Sequence, residues 1–164
     1  GMRVLWFERD WGFFVEPARW PADVVAMSTT HDLPTVAGWW TGRDIDWRAL
    51  LKLYGEGQDE AQDRAARVVD REKLWGAFVH AGLASGEMPA VDQPAAVVDA
   101  ACAFVAATPS PLALIPLEDL FGVIEQPNVP GTIDEHPNWR RRLASLLDSD
   151  DVTARIAQLV ARRK

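Results

Sequence analysis

The residues with most chemical content lie in one run, Ser28-Thr29-Thr30-His31-Asp32-Leu33-Pro34-Thr35. An apolar segment delivers an imidazole and a carboxylate side by side, and Pro34 fixes the turn just after them. Neighbouring residues in an extended chain point in different directions, so His31 and Asp32 are not expected to contact each other. They can instead present two polar groups to one ligand. A carboxylate accepts from two adjacent hydroxyls of a sugar, and an imidazole donates to a third. The plainer reading is a polar loop in which Asp32 caps the following turn. Trp39-Trp40 offers aromatic faces for the apolar side of a sugar ring, or two core tryptophans. Asn128-Val129-Pro130-Gly131-Thr132 offers hydroxyl-binding groups on a stiffened backbone, or an ordinary turn.

Other groups invite weaker readings. Asp32, Asp119, Glu118 and Glu8 are the candidate carboxylates for glycoside chemistry, which needs two such groups about 5–5.5 Å apart for retention of configuration. Asp134-Glu135-His136 with His31 and Asp32 could hold a cation, but the spacing follows no ligand pattern, so no metal is expected. His80 reads as a helix-surface residue. Cys102, set among alanines, reads as a small core residue rather than a nucleophile.

The elements that must position these groups follow from pattern. Arg3–Phe7, Val24–Thr30 and Leu112–Ile115 are short β-prone runs with weak alternation, as in strands buried on both faces of a parallel sheet. Helices are expected over 47–54 behind Asp46, over 59–82, and from Asp92 to Thr108. In the second of these, Val68, Trp75 and Val79 fall on one face, with Leu74 and Phe78 beside them. Gly122–Asn138 is long and irregular, with three prolines, and such loops usually carry function. Asn138 is then expected to cap a helix bearing Trp139, Leu143, Leu146 and Leu147, and Asp150 a last one bearing Val152, Ile156, Leu159 and Val160. Strands alternating with helices imply an α/β fold with a parallel sheet, its chemistry at the C-terminal strand ends.

Composition narrows the class. The chain has 164 residues, 48% hydrophobic, and a net charge of −7. That supports one domain spanning 1–164 and one core. A complete (β/α)8 barrel takes about 250 residues, so the chain is too short to be one. No apolar run reaches the roughly 18 residues of a membrane span, and no secretory signal is visible. A single cysteine excludes a disulfide framework, so a cytoplasmic protein is expected. The acidic balance argues against nucleic acid, although residues 138–164 carry seven Arg/Lys against three Asp. Gly1 ahead of Met2 reads as a remnant of a removed tag, with Met2 a natural start, or as a segment cut from a longer protein.

Together these pieces resemble the 4-α-glucanotransferases (amylomaltases, disproportionating enzymes) of glycoside hydrolase family 77. The resemblance rests on Met2–Leu5, Ser28–Thr35 with Gly38-Trp39-Trp40, Leu117–Gly122, Glu125–Thr132 and Glu135–Arg141, in family order over nearly the whole chain. It implies a partial (β/α)8 barrel, rich in helix and with few parallel strands, similar to the last three βα units. It implies transfer of α-1,4-glucan segments between maltodextrins by retaining double displacement. A carboxylate attacks the anomeric carbon, and the glycosyl-enzyme passes to another sugar's 4-hydroxyl. Asp32 matches the family's third carboxylate, a transition-state stabiliser that grips ring hydroxyls. His31, Asn128 and Pro130 match its sugar contacts. The nucleophile and acid/base belong to earlier strands, so inactivity alone is expected. No cofactor is implied. The expected partners are an α-1,4-glucan and either a second copy or a chain supplying further strands. A non-catalytic carbohydrate-binding or interaction module, or a folded remnant, is the alternative. One departure stands out: Trp6 occupies a position where the family often has Gln.

Overall fold

The computed structural model describes residues 1–143 and 150–163. Three parallel strands form its sheet: β1 (Met2–Val4), β4 (Val25–Met27) and β5 (Leu112–Leu114), in the order β1-β4-β5. Ala26 is the middle residue of the register, opposite Arg3 on one side and Ala113 on the other. β2 (Arg9–Asp10) and β3 (Phe13–Phe14) make a separate antiparallel hairpin. Six helices complete the described fold: α1 (Val36–Thr41), α2 (Arg43–Leu50), α3 (Glu60–His80), α4 (Ala95–Ala106), α5 (Leu117–Leu120) and α6 (Asp150–Ala161). The expected parallel α/β class is therefore what forms, with all three strands at the anticipated places. The first strand is shorter than expected, because Leu5–Phe7 tightens into a 3-10 turn.

Helix α1 went unrecognised in the sequence, and it organises the rest. Thr35 is its N-cap, accepting from the Gly38 N–H at 2.9 Å. Gly42, at φ 85°, both ends α1 and opens α2. This left-handed residue starts α2 four residues before the expected position. Asp46 thus lies inside the first turn, paired with Arg64 at 2.7 Å, instead of capping it. The C-terminal carbonyls of α1 are capped from α3: Arg71 donates to the Trp40 carbonyl at 2.7 Å, and Arg67 to that of Trp39. Arg67 also grips Asp44 through two nitrogens. Burial lowers the Arg71 guanidinium from its ordinary value, with Arg67 adding to the effect.

The core lies between the sheet, α1, α3 and α4. On α3 its contributors are Arg71, Leu74, Trp75 and Phe78, an i, i+3, i+4, i+7 stripe. Val68 and Val79, expected on that face, are exposed; the buried stripe is rotated because Arg71 is needed beneath α1. Phe78 meets Phe104 of α4 edge-on, ring centroids 5.3 Å apart. Helix α4 starts behind Pro94, not Asp92. Cys102 is buried within it, its thiol pushed up to about 12 chiefly by burial and then by Asp119. His80 is exposed and lies 2.7 Å from Glu16.

The expected helix from Asn138 does not begin there. Residues 138–143 carry no helix, and Leu146 and Leu147 lie outside the described residues. Asn138 instead staples the preceding loop: its Oδ1 accepts from the Val129 N–H at 3.0 Å, and its Nδ2 donates to Thr132 Oγ1 at 2.8 Å. Of the residues expected on α6, Val152 is buried, whereas Ile156 and Val160 are exposed.

Candidate functional site

Beyond the C-terminal end of β4 the chain is shaped by three hydroxyls. Ser28 Oγ donates to Asp119 Oδ2 at 2.5 Å. Thr29 Oγ1 donates to the Pro34 carbonyl at 2.9 Å and lies 3.3 Å from Trp6 Nε1, which donates to it. Thr35 Oγ1 donates to the Ile124 carbonyl at 3.2 Å. These bonds fold Thr30–Pro34 into a tight turn that holds His31 and Asp32 outward. Close approach reinforces the last of them. A Cβ on Gly38 would sit 2.3 Å from the Ile124 carbonyl oxygen, so only glycine lets the 122–138 loop lie against α1.

His31 and Asp32 reach the same cleft, of about 760 Å³, which runs along the strand ends. They do contact each other: His31 Nε2 is 3.2 Å from Asp32 Oδ2. The expectation that adjacent residues diverge fails because the turn after Thr30 is not extended. Asn128, 96 positions away, donates from Nδ2 to Asp32 Oδ1 at 2.7 Å. Both carboxylate oxygens are thus oriented, while the side chain remains half exposed. An exposed carboxylate in this state accepts further hydrogen bonds from ligand hydroxyls.

Glu118 and Glu125 line the same cleft. Glu125 is fully engaged, accepting from Arg43 Nε at 2.8 Å and Trp47 Nε1 at 2.7 Å, with Arg141 at 3.4 Å. The other expected carboxylates are elsewhere. Glu8 pairs with Arg3 at 3.5 Å. Asp119 is fully buried, accepting from Ser28 Oγ and, at 2.7 Å, from the Val36 N–H that opens α1. Burial pushes its carboxyl up to about 6, against the lowering effect of those two bonds. Asp119 latches a strand end to a helix start; it does not face a ligand.

Two expected ligand contacts are corrected. Trp40 is fully buried and donates to the Ala90 carbonyl at 3.1 Å. Trp39 is sandwiched, stacked on Trp6 with centroids 4.8 Å apart and covered by the Arg67 guanidinium at 4.4 Å. Neither indole has a free face. Trp6, the departure from the family pattern, is itself a core residue here. Pro130 is exposed, two residues from Asn128, in the turn closed by the Thr132 N–H on the Val129 carbonyl.

The possible cation cluster does not assemble. Glu135 turns back on the Ile133 and Asp134 N–H groups, which lower its carboxyl from the ordinary value. His136 is buried against Trp47, with Nδ1 2.6 Å from Asn138 Oδ1. Among the described residues no three His, Cys, Asp or Glu side chains are placed to hold a metal. One residue of the cleft was misplaced by pattern: Trp139, expected on a helix face, is exposed and lines the cleft beside His31.

Among the described residues no helix is long and apolar enough to cross a membrane.

Comparison with known proteins identifies the family. A 4-alpha-glucanotransferase family model, that of glycoside hydrolase family 77, matches residues 1–148. The 4-alpha-glucanotransferase of Mycobacterium tuberculosis is 36% identical over 146 residues, 85% of this chain and 20% of the relative. That of Haemophilus influenzae is 28% identical over 149 residues, 88% of this chain and 21% of the relative. The crystal structure of amylomaltase from Corynebacterium glutamicum superposes with a TM-score of 0.84 at 25% identity, covering all of this chain and 25% of that one. The chain therefore spans about a fifth to a quarter of the length of these relatives. With residues 1–148 matched by the family model and 85% of its length aligned to a relative 36% identical, this chain belongs to the 4-α-glucanotransferase family, glycoside hydrolase family 77.

Proposed function

We propose that this chain forms one wall of the sugar site of a cytoplasmic maltodextrin-processing barrel, similar to the last three βα units of the family fold. Its ligand is an α-1,4-glucan. The observation that carries this reading is the convergence of His31, Asp32 and Asn128 at the end of β4. Asp32 grips hydroxyls of the sugar at the cleavage point and stabilises its oxocarbenium-like transition state. Asn128 and His31 hold the carboxylate in place, and His31 adds a sugar contact.

Gripping a ring does not by itself start the reaction. Retaining transfer needs a nucleophile on the anomeric carbon and an acid on the leaving oxygen. The reading assigns both to strands outside this 164-residue chain, which has no transglycosylation of its own. The test is disproportionation of maltotriose by the purified chain, followed by glucose release. None is expected. Release that disappears in Asp32→Asn would overturn the reading, and Glu118 would become the first suspect for a second catalytic carboxylate.

The sheet favours an assembled state. Among the described residues β1 and β5 each have one unpaired edge, and Met2, Leu112 and Leu114 are exposed. The proposal covers these edges with further parallel strands, from a second copy or from a separate chain. Light scattering at micromolar concentration is expected to report an oligomer; a monomer would exclude pairing between copies.

A further inference from the structure

The cleft has a carboxylate for sugar hydroxyls, yet the tryptophans expected to supply its apolar face are in the core. We propose that Trp139 supplies that face, its indole receiving the apolar side of a pyranose ring whose hydroxyls reach Asp32. The proposal rests on the functional reading above and extends it to a residue that sets how the sugar lies.

Four observations support the assignment. Trp139 lines the same cleft as Asp32, its ring centroid 5.3 Å from that of His31 and tilted by 47°. It is 65% exposed, although Trp6, Trp20, Trp39, Trp40 and Trp75 are all buried and half-buried Trp47 is tied to Glu125. An indole of this size left out of a core with room for five others is available to a ligand. Its backbone is built for the position. Trp139 has φ 60°, a left-handed conformation that costs a bulky residue energy and is tolerated where the surroundings enforce it. Its N–H donates to the Pro127 carbonyl at 2.9 Å, and the adjacent Asn138 is fixed by Val129 and Thr132. The ring is thus held by the main chain and stands largely exposed in the cleft beside His31.

Chemistry selects the ligand class. A flat apolar face next to an acceptor-only carboxylate suits a neutral pyranose, which has apolar C–H faces and a rim of donor hydroxyls. Arg141 and Arg142 also line this wall and add donors to it.

Trp11 is the internal control. It is 95% exposed at the tip of the β2–β3 hairpin and lines no part of the cleft. The whole chain is labelled with 5-fluorotryptophan, and the Trp139 and Trp11 resonances are assigned with Trp139→Phe and Trp11→Phe. Maltotriose is then titrated in, with calorimetry reporting total binding. The Trp139 resonance is expected to move and saturate, and that of Trp11 to stay. Trp139→Ala is expected to weaken binding about five- to tenfold. Trp139→Phe, which keeps a smaller aromatic face, is expected to lose less than about threefold. Saturable binding that leaves the Trp139 resonance in place and is unchanged in Trp139→Ala overturns the proposal alone, with the Asp32 reading intact. No binding of maltotriose to the unsubstituted chain overturns both.

Discussion

Asp32 and Asp119 are aspartates on neighbouring segments beyond the strand ends, both candidates for sugar chemistry by residue type, although the family resemblance assigns a site role only to Asp32. Their environments separate them. Asp119 is sealed, its two oxygens taken by Ser28 and the Val36 N–H. Asp32 is half exposed, oriented by Asn128 and His31 with acceptor capacity to spare. The first carboxylate builds the platform and the second stands on it. A buried, perturbed carboxyl is often read as functional. Here the perturbed one is structural and the exposed one faces the cleft.

This contrast breaks most severely at Gly38. Gly38→Ala is expected to cost about 4 kcal/mol in chemical denaturation, because the new methyl meets the backbone oxygen of Ile124, which cannot rotate away. Both the platform and the 122–138 loop shift, so sugar binding falls with stability. Next comes Asp119→Ala, which strands a buried hydroxyl and a buried N–H, with an expected loss of about 3 kcal/mol at pH 4.

Asp119 also supplies a pH signature. Its carboxyl lies near 6 in the folded protein against 3.8 as the ordinary value, so the folded state holds the proton more tightly. Its stabilising contribution is full below about 4 and lost as pH rises through about 6, a change on the order of 3 kcal/mol. The stability difference between the unsubstituted chain and Asp119→Asn should follow that window when urea unfolding is compared at pH 4 and pH 7. A difference that does not vary with pH would refute the assignment.

The smallest stability effect sharpens the comparison from the other side. Asp32→Ala removes only a half-exposed side chain, and its unfolding midpoint should change by less than about 0.5 kcal/mol. Calorimetry with maltotriose should nonetheless show binding abolished. A large loss of stability would make Asp32 a second latch.

Much of this molecule was legible because local physics matched the tertiary outcome. The three strand segments and α3 and α4 are long or apolar enough to declare themselves, and the Ser28–Thr35 run contributes Thr29–Asp32 and Thr35 to the cleft. The pair Trp39-Trp40 shows where sequence reasoning stops. Adjacent aromatics suggest that one faces outward, but α1 is buried on all sides, from Val36 to Trp40. Asn138 is as good a helix cap as any by type, yet its amide bonds close the preceding loop. Trp139 then falls in a left-handed turn where no helix pattern could place it.

The sequence by itself determined the class of fold, its family and the residue types that line the cleft. Those follow from apolar patterning and from motifs that lie within a few residues of one another. Only the tertiary structure decided that Asp119 is sealed, that Asn128 orients Asp32 across 96 positions, and which tryptophan stands exposed in the cleft. Burial and hydrogen-bond partners are set by distant segments packing together, and no local spacing encodes them.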